Sequence, residues 1–188
     1  MQVVTLHLIK YTRQLTESER ALLAKCIPPQ RLERIQQIKH PAQADRMRIG
    51  SALAAYMLKQ YMNVPFTKQV FTENPQGKPF LVGYPNVHFN ISHSEKYVVC
   101  AVSDRPVGID VEERTAYNPK IAKRVFSPAV QEKIATSSDK DMTFTQCWVE
   151  NEANLKRIGC GLACKFPCDD PIAEVILAED AVIGVSCI

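Results

Sequence analysis

The chain has 188 residues, 46% apolar and 23% charged, which fits one sizeable globular domain or two small lobes sharing a core. Its 23 basic and 20 acidic residues leave a net charge of +3, too weakly basic for a dedicated nucleic-acid binder but suited to an anionic ligand or an acidic protein partner. No apolar run approaches the roughly 20 residues of a membrane span, and Met1 to Lys10 lacks the order of a secretory signal, so a cytoplasmic location is expected.

Thr16, with Glu19 three residues on, forms a capping box and predicts a helix from about Glu17 to Cys26, ended by Pro28 and Pro29. A short basic segment follows, Arg31 to Lys39. Pro41 suits the first turn of a long helix reaching about Tyr61, with Ile49, Leu53, Met57 and Tyr61 on its buried face and Gly50 allowing close packing. The period then changes. Val87, Phe89 and Ile91 alternate with His88, Asn90 and Ser92, as in a half-buried strand. Tyr97 to Val102 and Val107 to Glu112 read as two further strands of an antiparallel meander, separated by the turns Ser94 to Lys96 and Ser103 to Pro106.

Asn118-Pro119 and Ser127-Pro128 each look like an N-cap followed by proline at the first helical position. A helix over Met142 to Ile158 would carry Phe144, Trp148, Leu155 and Ile158 on its apolar stripe, and the tail from Ile172 gives one or two strands. This order is α+β rather than alternating βαβ. The seven cysteines, odd in number and scattered from Cys26 to Cys187, read as reduced and mostly buried thiols. Cys160, Cys164 and Cys168 recur every four residues but match no common zinc spacing.

The chemistry-bearing residues fall into three groups. Strand alternation sends Asp110 and Glu112 to one face while Ile109 and Val111 enter the core; two carboxylates so placed suit one hard cation such as magnesium, although the same pattern also serves a solvated face. Trp148, Glu152 and Lys156 share one helical stripe, which aims Glu152 inward or makes a plain surface Glu–Lys pair. Ser92-His93-Ser94 ends a strand with two hydroxyls and an imidazole, suited to a phosphate or to a polar turn. Arg31, Arg34, Lys39, Arg46, Arg48 and Lys78 stand upstream, as phosphate clamps or as ordinary surface charge.

In combination these pieces resemble the Sfp-type phosphopantetheinyl transferases. The resemblance rests on Gly77-Lys78-Pro79, Phe89 to Ser94, Val107 to Glu112, Ile121 to Ser127, Trp148, Glu152-Ala153, Lys156 and Gly161-Leu162, in the family's order from about Arg31 to Leu162. It implies an α+β fold of two similar lobes related by a pseudo-twofold, residues 1–104 and 105–188, each with helices on a small antiparallel sheet and with coenzyme A in the cleft between them. It implies that Arg31, Arg34, Lys78, Ser92 and His93 contact coenzyme A, His93 at the 3′-phosphate. Asp110, Glu112 and Glu152 are implied as magnesium ligands, with Glu152 as base and Lys156 as the active-site lysine. The activity implied is transfer of phosphopantetheine from coenzyme A to a serine of an acyl, peptidyl or polyketide carrier protein, releasing 3′,5′-adenosine bisphosphate. Members of this two-lobed length are commonly monomers.

The chain departs from the family at Asn151, where relatives carry lysine, and at Cys160, where many carry a basic residue; both changes are expected to remove positive charge near a phosphate site and weaken activity. It also stops early, on the apolar run Val182 to Ile188, read as a core or edge strand, which would alter carrier recognition. Two rival readings are a silent homologue that binds coenzyme A or a carrier without transfer and an unrelated magnesium-dependent phosphohydrolase. Nucleic-acid binding is weaker still, because no aromatic platform accompanies the basic residues.

Overall fold

The computed structural model describes residues 4–160 and 173–187. Among them, six helices, two three-stranded antiparallel sheets and a small hairpin form an α+β fold. The chain enters as β1 (Thr5–Lys10), a strand the sequence reading missed. Helix α1 (Glu17–Ala24) starts on the expected capping box: Glu19 N–H donates to the Thr16 hydroxyl, and Thr16 N–H donates back to the Glu19 carboxylate. Such a cap is worth about 1 kcal/mol. Most of the basic segment after it lies in helix α2 (Pro29–Gln36), where Leu32 and Ile35, three residues apart, pack on the next helix.

Helix α3 (Pro41–Met62) begins on proline and ends at Asn63, which adopts the left-handed conformation at φ 55°. Leu53, Met57 and Leu58 are buried against the first sheet, each contributing roughly 1.5–3 kcal/mol over exposure. Tyr61, expected on this face, is 43% exposed; it reaches the sheet's rim, where its hydroxyl lies 2.8 Å from His7 Nε2. Gly50 is where the helix comes closest, since a Cβ there would meet Ile91 Cγ2 at 2.7 Å. The hairpin β2 (Phe71–Glu73) and β3 (Pro79–Leu81) follows. Asn74 Oδ1 closes its turn by accepting from the N–H groups of Gln76 and Lys78.

The first sheet has the order β1-β5-β4, with β4 (His88–His93) and β5 (Tyr97–Ser103) paired as expected. The meander stops there. The strand β6 (Val107–Glu113) does not pair with β5, whose second edge is taken by β1; it joins a second sheet of order β6-β8-β7, with β7 (Ala173–Ala178) and β8 (Ala181–Cys187). The apolar C-terminal run is therefore the central strand of that sheet. The two sheets pack face to face, with Tyr97, Val99 and Ala101 against Val107, Ile109, Val111 and Ile183. Strand β5 is thus buried on both sides, which explains its unbroken apolar run.

Strand β4 was expected to be half-buried, but Asn90 and Ser92 are each only 6% exposed. They face β6 edge to edge: Ile109 N–H donates to Asn90 Oδ1 at 2.9 Å, which satisfies an edge donor that no strand partner reaches. Helices α4 (Pro119–Val125) and α5 (Pro128–Thr136) start at the two predicted prolines. Helix α6 (Lys140–Ile158) then lies across β6 and β8, burying Phe144 and Leu155 while Trp148 is half-buried. Ile158, expected on the apolar stripe, is 51% exposed. Cys100 and Cys147 are buried thiols; Cys164 and Cys168, like Gly161 and Leu162, lie outside the described residues.

Candidate active site

The site is built where α6 crosses β6. Alternation puts Ile109 and Val111 into the core between the sheets and turns Asp110 and Glu112 toward the helix. The helix approaches unusually near, because Gly108 has no side chain: a Cβ there would lie 2.0 Å from the Ala153 carbonyl oxygen. One turn of α6 separates Glu152 from Lys156, and both meet the strand's carboxylates.

Asp110 is 3% exposed. Its Oδ1 accepts from Lys156 Nζ at 2.5 Å and from Ser92 Oγ at 2.7 Å, and the same Lys156 Nζ donates to Ser92 Oγ at 2.8 Å. Four elements of the prediction therefore meet at one point: the Asp110 strand, the Lys156 helix, Ser92 and, beside it, His93. Burial, helped by Asp110, Glu113 and Glu152, pushes the Glu112 carboxyl up to about 7. Burial and then Asp110 also raise Glu152 above the ordinary carboxylate range, against the pull of Lys156.

Two carboxylate oxygens here, Asp110 Oδ2 and Glu152 Oε1, are buried without a hydrogen-bond partner. Buried orphan oxygens of this kind call for an ion or a proton. As the side chains stand, no group of three or more His, Cys, Asp or Glu among the described residues is in position to hold a metal, and Lys156 supplies the positive charge at Asp110. The donor set itself, oxygen only and clustered on one side of a strand, fits a hard divalent cation.

His93 ends β4, and burial lowers its imidazole below the usual value, with further contributions from Arg46, Lys156 and Arg31. Cationic groups from α2, α3 and α6 thus face one imidazole, a setting made for an anion. Arg46, which the sequence alone does not set apart from the other basic residues, is held at this place by donating from Nη1 to the Glu95 carbonyl at 3.1 Å; its Nε is buried and without a hydrogen-bond partner. Its position on the sheet-facing side of α3, four residues before Gly50, was the available signal. Arg31 and Arg34 line a cavity of about 320 Å³ whose walls include Phe71, Phe89 and Ile91. Arg31 is partly buried there with Nε 3.4 Å from Ser51 Oγ, whereas Arg34 is paired with Glu73 at 2.5 Å.

Lys78 is placed differently from these. Its ammonium donates to the backbone carbonyls of Val107 at 3.2 Å and Arg157 at 2.8 Å, while Asn74 Nδ2 donates to the Gly159 carbonyl at 2.8 Å. The β2–β3 hairpin therefore caps the end of α6. Burial, then Arg157, lowers Lys78 to about 8. Asn151 also lies elsewhere than expected. It is 6% exposed and lines a cavity of about 50 Å³ with Ser127, Val130 and Cys147, on the α4–α5 side of the helix. One residue along an α-helix is a turn of about 100°, so Asn151 and Glu152 lie on different sides of α6.

Residues 14–105 match the family model described as 4′-phosphopantetheinyl transferase, N-terminal, and residues 106–186 match that of the 4′-phosphopantetheinyl transferase superfamily. The chain is 29% identical over 175 residues to 4′-phosphopantetheinyl transferase Sfp of Bacillus subtilis (strain 168), covering 92% of this chain and 76% of that protein. A second 4′-phosphopantetheinyl transferase from Bacillus subtilis is 30% identical over the same coverage. The 4′-phosphopantetheinyl transferase HetI of Nostoc sp. is 30% identical over 165 residues, 84% of this chain and 70% of its own.

Proposed function

The chain belongs to the 4′-phosphopantetheinyl transferase superfamily, and on that premise we propose that it transfers phosphopantetheine from coenzyme A to a serine of an acyl, peptidyl or polyketide carrier protein, with magnesium as the metal. The observation that carries this reading is the convergence of Asp110, Glu112, Glu152 and Lys156 beside Ser92 and His93. We assign residues 1–104 and 105–188 as two pseudo-twofold lobes meeting at this convergence.

Asp110, Glu112 and Glu152 would hold the cation, which when bound supplies charge neutralisation at the pyrophosphate. The buried, unpartnered oxygens of Asp110 and Glu152 support this role. His93, Ser92 and Arg46 face the nucleotide phosphates, and Arg31 and Arg34 border the cavity that receives the adenosine end. In the transfer, the carrier serine oxygen forms a bond to the β-phosphorus as the bond to the bridging oxygen breaks, and 3′,5′-adenosine bisphosphate leaves. Glu152, held above the usual carboxylate range, accepts the serine proton. Lys156 donates to the phosphate oxygens as negative charge builds on them, and its hydrogen bonds to Ser92 and Asp110 aim the ammonium. Lys78 contributes through α6, whose end it holds, as well as by its charge. The protein acts as a cytoplasmic monomer.

Purified protein is incubated with coenzyme A, magnesium and a panel of apo carrier proteins, and each carrier is weighed by mass spectrometry. A gain of one phosphopantetheine that disappears without magnesium or in Glu112→Ala supports the reading. Coenzyme A binding with no carrier modified would make the protein a silent homologue instead.

A further inference from the structure

We propose that Glu113 is a positioning residue for the phosphate-facing side chains His93 and Arg46, acting through the turn Ser94–Lys96; the proposal rests on the reading that His93 faces coenzyme A. Alternation along β6 puts Glu113 on the side opposite Glu112, continuing the face of Val107, Ile109 and Val111 that packs on the first sheet. It is the charged end of an otherwise apolar row. There its Oε1 accepts two hydrogen bonds, from Lys96 N–H at 2.6 Å and from Ser94 Oγ at 3.0 Å.

The turn it grips directly follows His93 and is held by other groups as well. Arg46 donates to the Glu95 carbonyl at 3.1 Å, Tyr11 N–H donates to the Lys96 carbonyl at 2.6 Å, and the Lys96 ammonium pairs with Asp180 at 3.1 Å. Glu113 is the acceptor that ties this turn to the strand carrying Asp110 and Glu112. It thereby sets the distance between the carboxylate group on β6 and the imidazole and guanidinium on β4 and α3. Without it the Lys96 amide and Ser94 hydroxyl lose their acceptor. The turn then loosens, and the Glu95 carbonyl that orients Arg46 moves with it.

The test compares Glu113→Gln, which keeps an acceptor oxygen at the same place, with Glu113→Ala, which removes it. Amide hydrogen exchange at Lys96 should quicken in Glu113→Ala and stay near wild type in Glu113→Gln. Calorimetric titration should show coenzyme A binding about tenfold weaker in Glu113→Ala and within about twofold in Glu113→Gln. Binding of 3′-dephospho-coenzyme A should be the same in all three proteins, because the aligned groups meet the 3′-phosphate. Unchanged Lys96 exchange in Glu113→Ala, equal weakening in both variants, or equal weakening of both nucleotides would each overturn the proposal. A wild-type protein that binds neither nucleotide would overturn the functional reading and the phosphate role of Glu113 with it. Lys96 exchange would still decide whether Glu113 holds the turn.

Discussion

Helices α3 and α6 each cross a three-stranded antiparallel sheet, and both come closest to it at a glycine, yet one crossing makes a core and the other makes a site. Under α3 the contact is apolar, Leu53, Met57 and Leu58 on Phe89, Cys100 and Val102, and Gly50 sits on the helix itself. Under α6 the glycines are on the strands, Gly108 and Gly184, and they admit helix backbone rather than side chain. That closer seat brings Lys156 to 2.5 Å from Asp110 and sets Glu152 near Asp110 and Glu112. The lesson is that the placement of the glycine decides what the crossing can hold. A glycine on the helix lets side chains interdigitate, whereas glycines on the strands press the helix down until short acidic side chains and a helix lysine share one space.

The change that would break this comparison most directly is the addition of one methyl group. Gly108→Ala puts a Cβ within 3 Å of Ala153 O, Arg157 N and Arg157 Cα, and Gly184→Ala meets the Val149 carbonyl at 2.3 Å. Each should cost about 3 kcal/mol in urea unfolding, the upper end for overpacking. Gly50→Ala meets a side-chain methyl that can shift, and should cost about 1 kcal/mol. Equal losses at the three glycines would show that the two crossings are alike.

The next effect separates stability from activity. Leu53→Ala should lose about 2–5 kcal/mol while each folded molecule keeps its turnover. Asp110→Asn and Glu152→Gln should both cut carrier modification by about 10²–10³-fold, and thermal unfolding of the metal-free protein should stay near wild type or rise in Glu152→Gln but fall in Asp110→Asn, which unpairs Lys156. Magnesium should raise the melting temperature of wild type but not of these two variants. A magnesium shift that survives in both would place the cation elsewhere.

A smaller effect concerns how the two helices end. Helix α3 closes on its own Asn63, but α6 closes on Gly159 with its carbonyls taken by Asn74 and Lys78 of the hairpin. Because burial lowers Lys78 to about 8, the folded chain binds fewer protons there than the unfolded chain between about pH 8 and the ordinary lysine value. Stability from this group therefore rises with pH across that window. In Lys78→Met this rise should vanish, measured as the slope of unfolding free energy against pH. An unchanged slope would mean that burial does not lower Lys78 in the folded chain.

The smallest effect is expected at Asn151→Lys. The new side chain would extend toward α4 and α5, so carrier modification should change by less than about threefold. A large rise would mean that the carrier approaches that side of α6.

By itself the sequence determined the elements with local chemistry behind them: the Thr16 capping box, the prolines opening α3, α4 and α5, the alternation of β6 and the stripe of Glu152 and Lys156. Together with the family resemblance, it also pointed to Asp110, Glu112 and Glu152 as one group. Short strands such as β2 and β3, and β1 near the start, left too little periodic signal to read. The tertiary structure alone decided that β6 leaves β5 for β8, that Asn90 and Ser92 are buried and that Lys78 caps α6. It also decided that Asn151 lines the cavity beside α4 and α5. Caps and periodicity act over a few residues of one segment, whereas strand partners and the covering of a second face depend on segments distant in the chain that meet only on folding.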